Sequence, residues 1–191
     1  QVLATSIPGP WNGSPETTSL SEFRLVWTTW GKWTAKHPDT RVLSFDTGFA
    51  KNYARDPYGA YNPREGYYAD DASPMFPALD EDDRLAPKRV VIGTRTAEGA
   101  AAFDKRALRA EKLLEGELAG SPIVAAYDPE LDTGYVFRNP DGRRFEYRDG
   151  QVADGSGETY APSALPTERL YAFDAMWFAW SGFYPETPLY D

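Results

Sequence analysis

The sequence predicts a strand-rich α+β fold with a mixed or antiparallel sheet, hairpins and short helices. Hydrophobic residues occupy 41% of the 191 positions, which supplies enough apolar material for a packed core. The 16 glycines and 16 prolines interrupt the backbone too often for a helical bundle. Short apolar runs bounded by turn residues, at 89–94 and 123–127, are typical of buried strands. The length is that of one domain.

The elements follow from local patterns along the chain. Thr28 or Thr29 can cap a first helix that Pro38 ends, and residues 52–88, without a sustained period, predict a long ordered loop. In chain order we predict a helix from Trp30 to His37, strands over 41–45, 89–94 and 123–127, a helix over 103–114 that precedes the last of these strands, a hairpin joining 135–138 to 144–147 through Asp141-Gly142, a turn at Asp149-Gly150, and a short helix around Trp177.

Charge and composition exclude several classes of partner. Twenty basic residues against 29 acidic ones give a net charge of -9, which repels phosphate backbones and anionic lipid. We expect no nucleic-acid partner and no membrane insertion, because no apolar run approaches about 18 residues. The acidic surplus, with 16 Asp against only 6 Lys, predicts a salt-adapted, halophilic protein. No cysteine is present, and no glycine-rich loop opens a predicted helix, so we expect no metal or nucleotide cofactor.

Two tryptophan-rich stretches match each other. Residues 30–43 align with residues 177–190 at an offset of 147, with four identities in 14 positions: both tryptophans of a Trp-x-x-Trp pair, a proline and a threonine. We interpret the match as a repeated Trp-x-x-Trp helical element. On this interpretation residues 1–44 are the tail of a preceding repeat unit and residues 45–191 are one complete unit, packed with it as a single domain.

The same motifs carry a family resemblance. Trp30-Gly31-Lys32-Trp33, the run 37–43, Arg55-Asp56-Pro57-Tyr58 and the closing run 177–187 resemble the domain-of-unknown-function family numbered 3179. The resemblance covers most of the chain and implies two related halves, with this chain similar only to the later one. An upstream half of the same protein is therefore an expected partner. It also implies an exported protein, extracellular or at the cell surface, and it brings no agreed activity.

Three possible catalytic or metal-binding features have simpler structural interpretations. His37 is the only histidine, so we expect it to cap a helix or pack on Trp33 rather than bind a metal. Ser156 lacks the strand-to-helix setting of a hydrolase nucleophile and is interpreted as part of a turn. The acidic run 80–83, with Asp70-Asp71 before it, is interpreted as a solvated loop rather than a calcium site.

The abundant aromatic rings lead to the functional hypothesis. Exposed in a groove they can stack on sugars or hold a peptide, whereas buried they form the core. We predict a binding or interaction module with an aromatic-lined cleft for a carbohydrate or peptide. The predicted ligand-binding residues are Trp30, Trp33, His37, Arg55, Asp56, Tyr58, Trp177, Trp180 and Tyr184. The alternatives are an enzyme that uses His37, Arg55 and nearby carboxylates, with its site shared with the upstream half, and a purely structural surface domain.

Overall fold

The computed structural model describes residues 6–7, 18–19, 22–53, 55, 58–60, 63–76 and 81–191. In chain order the elements are β1 (Ser6–Ile7), β2 (Thr18–Ser19), α1 (Trp30–Lys36), a 3-10 turn (Gly66–Tyr68), β3 (Val90–Arg95), β4 (Ala100–Asp104), α2 (Lys105–Glu111), β5 (Leu113–Leu118), β6 (Ser121–Asp128), β7 (Thr133–Arg138), β8 (Phe145–Arg148), β9 (Gln151–Asp154), β10 (Thr159–Tyr160), β11 (Ala172–Met176), α3 (Trp177–Phe183) and β12 (Leu189–Tyr190).

Sheets dominate the described part of the chain, which confirms the predicted strand-rich α+β class. A mixed sheet has the order β11-β3-β4-β12, with β12 parallel to β4 and the other pairs antiparallel. Strands β5, β6 and β7 form an antiparallel sheet, and β8, β9 and β10 form another. Among the described residues, strands β1 and β2 pair only with each other.

The mixed sheet is buried on both faces, which explains why β3 reads as a continuous apolar run. Successive strand residues point to opposite faces. Ile92 and Phe103 pack on one face against Val136 of the β5–β7 sheet. Val91 packs on the other face against Trp177 of α3. The mixed sheet therefore lies between α3 and the β5–β7 sheet.

Helix α2 is shorter than the 103–114 pattern predicts. Phe103 still belongs to β4, and Asp104 caps the helix by accepting a 2.7 Å hydrogen bond from the Arg106 backbone amide. Lys112 then adopts φ 71, which ends the helix and turns the chain into β5. The apolar spacing thus continues through three elements that share one core.

The predicted hairpin between 135–138 and 144–147 is wrong. Strand β7 pairs with β6, and β8 pairs with β9 across a turn at Asp149 and Gly150, which have φ 48 and 84. Both positive φ values suit a tight hairpin turn. The Asn139 side chain instead closes the loop after β7, bonding both the amide and the carbonyl of Arg143.

The described residues between positions 22 and 89 are mostly exposed, and several of them contact the surface of the sheets. Helix α1 has no buried residue. The strand predicted over 41–45 is wrong, since these residues form no strand and Leu43 is 95% exposed. Arg24 nevertheless reaches the core edge, donating hydrogen bonds to Thr133 Oγ1 and to the Gly134 carbonyl. The division at residue 44 stays a prediction. Among the described helices, none combines the length and apolarity needed to cross a bilayer.

Candidate functional site

The two Trp-x-x-Trp helices have nearly the same local geometry. Each is seven residues long and ends at an aromatic residue, His37 with φ -129 and ψ 70 or Tyr184 with φ -129 and ψ 69. The ring of each terminal residue tilts by 37° over the second indole, with centroids 4.3 Å apart at Trp33 and 4.5 Å apart at Trp180. The predicted packing of His37 on Trp33 is confirmed.

Their surroundings are different. Trp177 is fully buried and Trp180 is 2% exposed, whereas Trp30 on α1 is 58% exposed. The Trp177 Nε1 donates a 3.0 Å hydrogen bond to the Asp82 carbonyl. Trp177 therefore belongs to the core, although the sequence marked it as a ligand-binding residue.

The ring of Trp180 lies over Gly93 of β3, which has no side chain. A Cβ added to Gly93 would lie 2.2 Å from Cζ3 of Trp180, so only glycine leaves room for this ring. Phe173 of β11 meets the indole edge-on, with centroids 5.6 Å apart at 64°. The Trp180 Nε1 is buried and has no hydrogen-bond acceptor among the described residues. The sheet thus fixes the ring but leaves its donor unused.

A groove of about 440 Å³ lies beside Trp180, between α3, β11 and the irregular segment 22–27. Its lining is mainly apolar, and Trp180 and Tyr184 are two of its members. Other aromatic or aliphatic side chains that line it are Phe23, Leu25, Tyr171, Phe173, Phe178 and Phe183. We call this cavity the aromatic groove.

The wall formed by segment 22–27 is held by polar contacts. Glu22 forms an ion pair with Arg95, and the Arg95 guanidinium lies 5.8 Å from the centroid of the Tyr171 ring. The Tyr171 hydroxyl donates a 3.3 Å hydrogen bond to the Phe23 carbonyl. Burial, and then the nearby Glu22 charge, raise the pKa of Tyr171 above its ordinary value. Tyr171 therefore stays a neutral donor around neutral pH.

Asp174 contributes a charged group to the groove, and its side chain is fully enclosed. Its Oδ1 accepts a 2.6 Å hydrogen bond from Lys105 Nζ, and its Oδ2 accepts a 2.8 Å bond from Thr133 Oγ1. Burial lowers the pKa of the neighbouring Arg24, while Tyr135 and Asp174 act in the opposite direction. These two hydrogen bonds fix the positions of Lys105 and Thr133 beside the groove.

The structure does not bring the nine predicted site residues into one cleft. Trp30, Trp33 and His37 lie on α1 and do not line the aromatic groove. Arg55 is exposed, and Tyr58 contacts the Tyr67 ring at 5.7 Å. Asp56 lies outside the described residues.

Sequence reasoning missed the phenylalanines of the groove. Phe178 and Phe183 belong to the closing motif, but they match Gly31 and Lys36 of the first stretch and so do not stand out as repeated residues. The usable signal was that α3 is apolar around its whole circumference. When Trp177 and Trp180 occupy the buried face of this seven-residue helix, Phe178 and Phe183 must lie on its other faces.

Two of the other motifs have local hydrogen-bond or ion-pair partners. Ser156 Oγ donates a 2.7 Å hydrogen bond to Asp154 Oδ1 within a turn. Asp82, from the acidic run, forms an ion pair with Arg84. Within the described ranges, no three histidine, aspartate or glutamate side chains converge as a metal site.

Comparison with known proteins gives a family without an activity. The model of a family described as a protein of unknown function, DUF3179, matches residues 1–187, nearly the whole chain. Searches of curated proteins and of solved structures each gave no match. The match over 1–187 includes the motifs that carried the resemblance, and the chain therefore belongs to the DUF3179 family.

Proposed function

We propose that this protein is a binding module whose aromatic groove holds a peptide segment with apolar side chains. The observation that carries the proposal is the groove itself, a cavity of about 440 Å³ lined by aromatic rings of α3, β11 and segment 22–27. Its volume falls within the range of about 300–1,000 Å³ that is usual for ligand sites. Aromatic rings contribute most of the binding energy in such sites.

The exposure of the rings favours a peptide over a carbohydrate. Sugars stack on open aromatic faces, best on indoles, and need many hydrogen-bonding groups around them. The one indole that α3 contributes to the groove, Trp180, is 2% exposed, and the exposed rim is formed by phenylalanines such as Phe183. Phe23 and Leu25 of the chain itself already line one wall, so an apolar chain segment has matching chemistry.

The polar groups favour binding over catalysis. Asp174 and Lys105 are paired with each other, and Glu22 is paired with Arg95. A catalytic acid or base must lie within hydrogen-bond reach of the substrate, and each of these side chains is already engaged by its ion-pair partner. The Trp180 Nε1–H, which has no acceptor among the described residues, can instead donate a hydrogen bond to a carbonyl oxygen of a bound backbone, directly or through water.

An extracellular, salt-adapted setting is part of the proposal. It is supported by the family resemblance and by the acidic composition, with 29 acidic residues against 20 basic ones. At high salt, surface charges are strongly screened while apolar contacts are retained. An aromatic groove is therefore a suitable binding site under these conditions.

The test is a selection from a phage-displayed library of random peptides, run beside a glycan array on the same preparation. We expect selected peptides to be rich in apolar residues and to lose binding to Phe183→Glu, which places a charge on the exposed groove rim. Phe45→Glu is the matched control, because Phe45 is also exposed but does not line the groove.

Two results would overturn the proposal. Peptide binding that Phe183→Glu and Phe45→Glu affect equally would show that the groove is not the site. Sugar binding lost only in Phe183→Glu, with no peptide selected, would keep the groove but replace the ligand class with carbohydrate.

A further inference from the structure

Trp27 also lines a second cavity, and its character is opposite to that of the aromatic groove. This cavity has a volume of about 520 Å³ and lies between residues 27–29, the loop around Asp70, the start of β3 and helix α2. Five cationic side chains line it: Arg64, Arg89, Lys105, Arg106 and Arg109. Two acidic side chains, Asp70 and Asp132, also line it. We call it the basic cavity.

The excess of positive charge remains when the ion pairs among the described residues are counted. Asp104 and Asp174 pair with Arg89 and Lys105 from outside the lining, and Asp132 pairs with Arg109. Even with these carboxylates included, the five cations exceed the four acids by one, whereas the whole chain carries -9. A concave site of positive charge on an acidic protein concentrates anions in that place.

Three guanidinium groups share one carboxylate in the basic cavity. Asp70 Oδ1 accepts a hydrogen bond from Arg64, and Asp70 Oδ2 accepts a 3.0 Å bond from Arg106 Nη2. Arg89 Nη1 lies 3.8 Å from the same Oδ2. Arg89 is also paired with Asp104, so these ion pairs set three guanidinium groups against two carboxylates, and the arrangement resembles an anion held by an arginine cluster.

Two further observations show capacity for another anion. The Arg106 side chain is 69% exposed, and its ion-pair partner is Asp70. A guanidinium has five N–H donors, so it can bind a second acceptor beside Asp70. Thr28 lines the cavity, and its hydroxyl is buried without a hydrogen-bond partner among the described residues. A buried hydroxyl with no partner is costly, and a bound oxygen acceptor would remove that cost.

We propose that the basic cavity binds a small organic molecule through an oxyanion group, with Arg106, Arg64 and Arg89 as the recognising side chains. Guanidinium forks match the geometry of phosphate, sulfate and carboxylate oxygens. The volume leaves room for more than a bare inorganic ion. This site uses different side chains from the aromatic groove, Trp27 excepted, and so stands or falls separately from the peptide proposal.

Calorimetric titration of the full chain at low salt tests the proposal, with inorganic phosphate, inorganic sulfate, phenyl phosphate and citrate as separate probes. We expect saturable binding of at least one probe. Tighter binding of phenyl phosphate or citrate than of the inorganic ions identifies an organic ligand. Arg106→Gln should weaken the affinity about tenfold, and Arg106→Lys, which keeps the charge but loses the fork, should weaken it less. Asp70→Asn, which removes the competing carboxylate, should tighten binding.

Arg148→Gln is the matched control, because Arg148 is also 69% exposed and also paired with one carboxylate, that of Glu146 on the β8–β10 sheet. It should bind as the unmodified chain does. The absence of saturable binding for all four probes, or equal losses in Arg106→Gln and Arg148→Gln, would overturn the proposal. Binding of inorganic ions only, unchanged in Asp70→Asn, would also overturn it.

Discussion

Helices α1 and α3 share a sequence pattern and a backbone conformation but not an environment. Their terminal residues, His37 and Tyr184, agree within one degree in φ and ψ, and each ring tilts by the same angle over an indole. Yet α1 buries none of its residues, while α3 buries Trp177 and Trp180. The difference shows that the local pattern sets the shape of the segment and that the sheet beneath it sets its burial.

The turn after each helix also differs, and the polar contacts follow. Trp33 Nε1 donates a 2.9 Å hydrogen bond to Thr40 Oγ1. The matching atoms in the second segment, Trp180 Nε1 and Thr187 Oγ1, are both buried without a partner among the described residues. Glu186 adopts φ 59 in this second turn, and Asp39 is not among the positive-φ residues of the first. The duplication of the two segments stays a prediction, and their backbone agreement supports it only locally.

Removing one indole from each helix gives the largest expected contrast. Trp177→Ala should lower the free energy of unfolding by about 3–5 kcal/mol, because it leaves a cavity in the core. Trp30→Ala should change it by about 0.5 kcal/mol or less, because Trp30 is mostly exposed. Urea denaturation of both variants measures the difference. Similar losses would mean that α1 is packed as tightly as α3.

Two glycines test the same contrast at the backbone. Gly93→Ala should destabilise by about 1–3 kcal/mol, since its Cβ would overlap the Trp180 ring. Gly31→Ala, on α1, should stabilise by about 0.5–1 kcal/mol, because nothing lies within 4 Å of the added methyl group and alanine favours the helix. Thermal unfolding should shift in opposite directions. A shift in the same direction for both would contradict this account of the two surroundings.

The two threonines give a smaller effect. Thr40→Val should cost about 1 kcal/mol through the lost hydrogen bond from Trp33 Nε1. Thr187→Val should be neutral or stabilising, because it replaces a buried hydroxyl that has no partner among the described residues. Chemical denaturation of the two variants measures both changes in the free energy of unfolding. A larger loss in Thr187→Val than in Thr40→Val would indicate that the Thr187 hydroxyl has a hydrogen-bond partner.

The smallest effect concerns the ion pair that attaches α1 to the loop after β6. The hydrogen bond from Lys36 holds the pKa of Glu130 below its ordinary value of 4.5. A lowered folded pKa means that the stabilisation is complete above pH 4.5 and is lost as the pH falls through the lower value. Both groups are accessible to solvent, so we expect the ion pair to contribute roughly 0.5 kcal/mol or less to the free energy of unfolding.

The check on this ion pair is a comparison of the unmodified chain with Glu130→Gln. Their free energies of unfolding should differ slightly near neutral pH and agree once the pH is well below the ordinary glutamate pKa. A difference that grows on acidification would reverse the sign of the proposed linkage.

The sequence predicted the parts of the fold that depend on local pattern. Both short helices, a helix cap at Thr28 or Thr29 and the strands around Val91 and Val124 were predicted from spacing and capping rules, and the structure has the cap at Thr29. Two errors came from pairing and context. Residues 41–45 have strand composition but no neighbouring strand, and 144–147 pairs with the strand after it rather than the one before it.

The candidate site was less accessible to prediction. Trp180 and Tyr184 were predicted because rare aromatic residues recur, but one wall of the groove comes from segment 22–27 and Arg95, which are far from α3 in the chain. The basic cavity was missed altogether, because its cations are spread from Arg64 to Arg109 and each looks like an ordinary surface charge. Only tertiary structure brings them around Asp70.

Amide hydrogen exchange of the native protein tests the central comparison most directly, because it reports the stability of each helix separately. The account predicts that α3 amides, such as that of Tyr184, exchange only by near-global unfolding, whereas the matching amide of His37 on α1 exchanges far faster through local opening. Equal protection of the two amides would contradict the claim that α3 alone is fixed by the sheet and forms the ordered wall of the aromatic groove.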